Sequence, residues 1–238
     1  VRLEARAGRM GTVMTAAVVD GPGGKEYRLP TAHEIEMAHA AEGELERVFA
    51  EVPYGWPAEP LAGADALGFR VPLYGLDQWH KLLAPRQLAA LGTFCKAIRA
   101  VPHQFSSRDG EWREALTVYL GAALSRLADY SSTICIWALG EFLCHTFTRF
   151  ALPITWDFVE GNSLSETSGN FEGAVDWVAR VTEHLTSAAP LGSVQSRAVQ
   201  RSATKDVDLE VDVVVTDPPY YDAIPYSDLM DYFYVWDR

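Results

Sequence analysis

The chain contains no Cys-x-x-Cys pair, and its three cysteines, Cys95, Cys135 and Cys144, are odd in number and widely spaced. That pattern excludes a disulfide framework or a zinc knuckle, and the apolar helical surroundings read as small buried hydrophobes. No stretch reaches the roughly 18 to 20 apolar residues of a membrane-spanning helix, so no membrane partner is expected. The first residues, Val1-Arg2-Leu3-Glu4-Ala5-Arg6, are charged and lead into no uninterrupted apolar run. A secretory signal is therefore not visible, and a reducing cytoplasm is the expected location. Positive charge is also scarce: 20 Lys and Arg against 32 Asp and Glu leave a formal net charge of -12. A protein whose whole surface tracks a phosphate backbone is excluded, and a nucleic-acid partner would have to meet a local basic groove.

What the chain has is length and apolar content: 238 residues, 48% hydrophobic, enough for one large domain or two small ones around a real core. Residues 12–19 and 25–29 are short β-prone runs around Asp20-Gly21-Pro22-Gly23-Gly24. Two readings fit, a hairpin or a loop that cradles a nucleotide or S-adenosylmethionine. The second needs a helix directly after the glycines, and Lys25 to Leu29 instead alternates like a strand. Thr31 followed by Glu34 is a capping-box pattern that opens a helix through Phe49. Residues 51–68 are rich in Pro, Gly and Ala and read as a linker.

From Leu73 the periodicity is helical. A short helix over Asp77 to Leu83, helices over Arg86 to Val101 and Glu111 to Tyr130, and a central helix or mixed segment over Thr133 to Phe150 form a helical block. Its aromatic stripe, Trp79, Phe94, Trp112, Tyr119, Trp137 and Phe147, reads as core; base stacking would need rings exposed beside basic residues. Leu152 to Glu160 reads as a short strand or extended edge. The polar loop from Gly161 to Asn170 then precedes a helix from Ala174 to Leu185, and either holds an anion at that helix or simply connects. His33 and His39 lie six apart with no third ligand nearby and read as solvated helix positions, and His145 and His184 have no visible partners and read as structural, so no metal site is expected. Val194 to Ala203 reads as a peripheral strand, and Ser227 as the cap of a helix from Asp228 to Trp236.

The most informative stretch is Val211-Asp212-Val213-Val214-Val215-Thr216-Asp217-Pro218-Pro219-Tyr220. An almost unbroken β-branched run reads as a strand buried on both faces of a parallel sheet. Pro218 and Pro219 end it on a stiff turn, at the sheet edge where ligands bind in open α/β folds. An exocyclic amine on a base is a poor nucleophile, because its lone pair is delocalised into the ring. A carboxylate and a carbonyl held rigidly together would accept its two hydrogens and favour the pyramidal form. Asp217 and Pro218 supply those acceptors, and Tyr220 can stack on a base taken out of its duplex.

Asp217-Pro218-Pro219-Tyr220 after its valine strand resembles the catalytic motif of S-adenosylmethionine-dependent amino-methyltransferases that act on adenine N6 or cytosine N4 of DNA. Further stretches resemble adenine-specific DNA methylases with a DUF1156 region: Gly68 to Val71 with Leu73 to Leu76, Pro85 to Leu88, Arg126 to Tyr130, Ala151 to Pro153 with Trp156 to Phe158, and Thr216 to Trp236. The resemblance covers roughly the whole chain. It implies an α/β fold, a partial Rossmann-like class I methyltransferase sheet with a large helical insertion and an N-terminal β-hairpin. Its parts would be a hairpin and helix at 1–60, a helical block at 68–150, and methyltransferase core at 151–238. The resemblance implies S-adenosyl-L-methionine as cofactor and DNA as partner. It assigns Asp217, Pro218, Pro219 and Tyr220 to the catalytic motif. Ser202, Ala203, Thr216 and Asp217 fall on the cofactor side, and Tyr220, Tyr221 and Asp222 on the substrate side.

Such enzymes also carry an aromatic-and-glycine cofactor loop of the type Phe-x-Gly-x-Gly. No copy is present: Asp20 to Gly24 lacks the following helix, and Phe171-Glu172-Gly173 lacks a second glycine. The expectation is an internal or truncated piece of a longer methyltransferase, partnered by the rest of the same polypeptide upstream and downstream. Two other classes stay open, a methyltransferase acting on RNA or a protein amide, and a catalytically silent module binding DNA or protein.

Overall fold

The computed structural model describes residues 1–188, 198–205, 212–221 and 223–238. In chain order a short helix α1 (Arg2–Arg6) leads to the antiparallel strands β1 (Ala17–Gly21) and β2 (Gly24–Arg28), then α2 (Ala32–Phe49). After a long irregular stretch come α3 (Pro85–Gln104), α4 (Gly110–Asp129), α5 (Phe171–Ala188) and α6 (Tyr226–Asp237). The fold is thus mixed helix and sheet, with β1 and β2 as the sheet present among the described residues.

The local chemistry explains the element ends. Pro22 and Gly23 connect β1 to β2 with Gly21 opposite Gly24, so residues 20–24 form the hairpin turn and not a cofactor loop. The capping box forms as the residues dictate: Glu34 N–H donates to Thr31 Oγ1 at 3.2 Å, and Thr31 N–H donates back to the Glu34 carboxylate at 2.7 Å. Asp109 caps α4 by accepting from Trp112 N–H at 2.7 Å. Pro85 opens α3 at its first position, where its missing donor costs nothing.

The core lies between these helices. Leu45, Val48 and Phe49 of α2 meet Leu88, Leu91 and Cys95 of α3, and Leu124, Leu127 and Ala128 of α4 close the far side. Gly92 is required at the first contact, because a Cβ there would stand 2.7 Å from the Phe49 ring and 2.8 Å from Val48. The stretches 68–70 and 151–153 meet beside this core. Arg70 N–H donates to Leu152 O at 3.0 Å and Leu152 N–H to Gly68 O at 3.1 Å, with Phe69 and Leu152 fully buried.

α6 completes the core. Leu229, Tyr232, Val235 and Trp236 turn inward. Tyr232 has no exposed surface, packs against Trp79 and Phe147, and donates its hydroxyl proton to Ala128 O at 2.7 Å. Burial pushes that hydroxyl's pKa well above its ordinary value.

Several expectations are corrected. The segment 133–150 is not a helix: Thr146 Oγ1 donates to Asp129 O at 2.7 Å, Ser132 accepts from Ile134 N–H at 3.1 Å, and Trp137 pairs with Leu143 as an isolated bridge. Hydroxyls bonded to the backbone and β-branched Thr133, Ile134 and Ile136 disfavour a helix here. Residues 77–83 form only a 3₁₀ turn over Trp79–Leu82, cut short before Pro85. Residues 152–160 make a single bridge and no strand. Pro225, not Ser227, precedes α6, with no side-chain cap. Trp112 and Tyr119 are exposed rather than core, and Cys144 is only half-buried beside the buried Cys95 and Cys135.

No helix among the described residues is long and apolar enough to cross a membrane. Removing the buried hydroxyl with Tyr232→Phe is expected to cost about 0.5 to 1.5 kcal/mol, the net worth of one hydrogen bond, because Ala128 O keeps its bond from Ser131 N–H. Tyr232→Ala should cost about 3 to 5 kcal/mol by adding a cavity. Urea unfolding of the two variants checks both values, and a near-zero effect of Tyr232→Ala would refute the anchoring role.

Candidate functional site

The motif runs through residues 212–221, directly ahead of the anchored α6. Here the buried parallel strand expected from Val211 to Val215 is not found. Val211 lies outside the described residues, and Asp212 to Val215 are exposed, Val215 at 90%, with no strand assigned. A β-branched run makes a strand only where another strand takes its backbone donors and acceptors, and among the described residues none lies alongside. The partial Rossmann-like sheet is accordingly absent from the described residues.

Thr216, Asp217, Pro218 and Pro219 are also exposed, and Tyr220 and Tyr221 present 64% and 100% of their surface. Among the described residues neither the Asp217 carboxylate nor the Pro218 carbonyl accepts a hydrogen bond; Ala223 N–H donates to Tyr220 O at 3.4 Å. Asp222 lies outside the described residues. Beyond it Ile224 packs against the core and α6 begins, so the motif hangs between an open segment and a fixed helix.

Ser202 and Ala203 sit on a separate exposed turn. Ser202 Oγ lies 2.9 Å from Thr204 Oγ1 and accepts from Thr204 N–H at 3.3 Å. No hydrogen bond joins residues 198–205 to residues 212–221 among the described residues. Of the peripheral strand expected over Val194 to Ala203, residues 194–197 lie outside the described residues and 198–203 form no strand.

The polar loop 161–170 borders a cleft of about 320 Å³ lined by Arg126, Tyr130, Glu166 and Ala174 among others. The anion reading of this loop loses its donors. Asn170 Oδ1 accepts from Gly173 N–H at 2.5 Å, Phe171 N–H donates to Ser163 O at 3.0 Å, and Ala174 N–H donates to Asn170 O at 3.2 Å. The first turn of α5 is therefore capped from within. The Arg126 guanidinium lies 4.6 Å from the Trp177 ring centroid, a cation held by an aromatic face.

One pairing escaped sequence reasoning. His145 Nδ1 lies 3.0 Å from Asp129 Oδ2, and its ring centroid is 5.8 Å from that of Tyr130. Sixteen residues and an irregular chain separate the partners, so no local spacing announces them. Burial pushes the Asp129 carboxyl above its ordinary value, and the attraction of His145 opposes this only in part. Among the described residues no group of three or more His, Cys, Asp and Glu side chains could hold a metal ion. No known family model, no curated protein and no solved structure matches the chain.

The raised Asp129 pKa has a definite consequence for stability. The native state keeps this proton over a window in which the unfolded chain has released it, so the contribution favours folding below the ordinary value of 3.8. It is lost as pH rises through the raised value. The urea midpoint of the wild type should therefore fall relative to that of Asp129→Asn as pH rises above 3.8. A difference that is flat or of opposite slope would contradict this assignment.

Proposed function

We propose that the chain carries the target-amine half of an S-adenosylmethionine-dependent DNA amino-methyltransferase, with adenine N6 the favoured position. The observation that carries the reading is the placement of Asp217-Pro218-Pro219-Tyr220. Two acceptors without a partner among the described residues and an exposed ring stand together on a segment stiffened by two prolines and moored by α6. In this reading Asp217 and the Pro218 carbonyl take the two amine hydrogens, which directs the nitrogen lone pair toward the methyl donor. S-adenosylmethionine, when bound, would supply the methyl group from its sulfonium sulfur, and the amine would pass one proton to solvent. Tyr220 stacks on the extruded base. Asp217 favours a DNA base over a protein amide, since Asn usually holds that position in enzymes acting on glutamine.

Thr216 and Asp217, with Ser202 and Ala203, stand on the cofactor side of the proposal. The glycine loop that presents the methyl group is not in this sequence, so the reading calls for further polypeptide to supply it. A second reading draws on the valine run, which has no partner strand among the described residues, and on the helical core: a silent module in which the motif survives without activity.

Calorimetric titration with S-adenosylmethionine, on the chain joined to polypeptide that carries the glycine loop, separates these. Binding in the micromolar range that is lost with Asp217→Ala supports the enzyme, and no heat at millimolar cofactor supports the silent module. Joined to polypeptide that carries the glycine loop, Asp217→Ala is expected to abolish methylation. The exposed site should change stability by less than about 0.5 kcal/mol. Full activity in that variant would remove the role assigned to Asp217.

A further inference from the structure

Three arginines without a salt-bridge partner among the described residues stand on α1 and at the start of the 3₁₀ turn it rests on, in a chain whose formal net charge is -12. Arg2 and Arg6 extend from α1, and Arg70 from the start of the 3₁₀ turn Val71–Tyr74; all three are exposed. α1 rests on that turn at Gly75, whose φ of +79° and 2.9 Å approach of a would-be Cβ to Ala5 O leave room for no side chain. Glu4, the acid within α1, is taken up by Arg9 at 2.7 Å. Of the exposed acids close in sequence to these elements, Asp77 is paired with Lys81 at 2.5 Å and Asp157 follows Trp156.

Aromatic rings sit among these cations. The Arg2 guanidinium lies 5.4 Å from the Tyr74 ring centroid, and Tyr74 meets Trp156 edge-on at 5.5 Å. Trp156 leaves 60% of its surface open. Exposed rings beside basic groups are what a single nucleic-acid strand requires, phosphates on the cations and bases on the ring faces. Other guanidinium and ring pairs lie among acids. Arg108 over Trp112 shares its turn with Asp109, Glu111 and Glu114, and Arg126 over Trp177 shares its cleft with Glu166.

We propose that the Arg2, Arg6, Arg70, Tyr74 and Trp156 surface binds an unstacked single strand of DNA, with the arginines on phosphates and Trp156 against a base. This inference rests on the DNA reading above and adds where the strand lies.

The test is fluorescence anisotropy with a labelled single-stranded oligonucleotide of mixed sequence and about 20 nucleotides, at about 50 to 200 mM salt. Trp156→Ala should weaken binding about tenfold, with Trp156→Phe largely restoring it. Arg2→Glu combined with Arg70→Glu should weaken it at least as much and flatten the salt dependence, while Arg108→Glu binds as the wild type does. Because Trp156 and the arginines are exposed, an unchanged thermal midpoint confirms that the variants fold. Wild-type binding unaffected by any of these changes overturns the surface and leaves the DNA reading standing. No binding of single strand or duplex removes the DNA partner and the surface together. Binding that follows the variants, in a protein that transfers no methyl group, keeps the surface and removes the methyl-transfer reading. Equal affinity for polyglutamate, equally sensitive to Trp156→Ala, reassigns the patch to acidic protein segments and overturns the proposal.

Discussion

The burial of Tyr232 is the constraint on which the C-terminal part of the molecule depends. Its ring fills the space between Trp79 and Phe147, and its hydroxyl bonds to the carbonyl of Ala128 near the end of α4. A buried phenol needs such a partner, and the Ala128 carbonyl, which also accepts from Ser131 N–H at 2.9 Å, uses its second lone pair for the hydroxyl. This bond locks α6 against α4, and Ser125 reinforces it by donating to Asp237 Oδ2 at 2.9 Å. The motif ahead of α6 is thereby held at the margin of the helical core although its own residues are open to solvent.

That arrangement has a chemical meaning in the proposed reading. Amine recognition needs two acceptors fixed relative to each other more than it needs them buried beforehand. Pro218 and Pro219 restrict the backbone between them, and α6 restricts one end of the segment. The valine run at the other end has no strand beside it among the described residues, so its apolar surface stays exposed. The two features together describe one half of a site. The Arg and aromatic surface at α1 gives an acidic chain the local positive field that a DNA partner demands.

Where local chemistry decides structure, the sequence was legible. The turn at Pro22 and Gly23, the capping box at Thr31 and Glu34, Pro85 at the start of α3 and the apolar periodicity of α4 each point to the element found. Legibility failed where the outcome depends on distant partners. Val213, Val214 and Val215 have strong strand preference, yet preference cannot supply a neighbouring strand. Thr133 to Phe150 is apolar on more than one side and fits a helix or a mixed segment, and the choice is made by Ser132, which accepts from Ile134 N–H, and Thr146, which donates to Asp129 O. The pairing of Gly68 and Arg70 with Leu152, and of Asp129 with His145, is set by tertiary packing alone. For the motif itself the residue types and their rigidity were readable, but not the exposure of the valine run that precedes it.

The central claim is that Asp217 to Tyr220 receives an extruded base, and it can be tested without the cofactor. An oligonucleotide carrying 2-aminopurine opposite an abasic site holds a fluorescent adenine analogue that leaves the stack readily and dims when it stacks on an aromatic ring. The account predicts quenching on addition of the wild-type chain, loss of that quenching with Tyr220→Ala, and its retention with Tyr220→Phe. Quenching of the same depth by Tyr220→Ala, at equal occupancy, would contradict it.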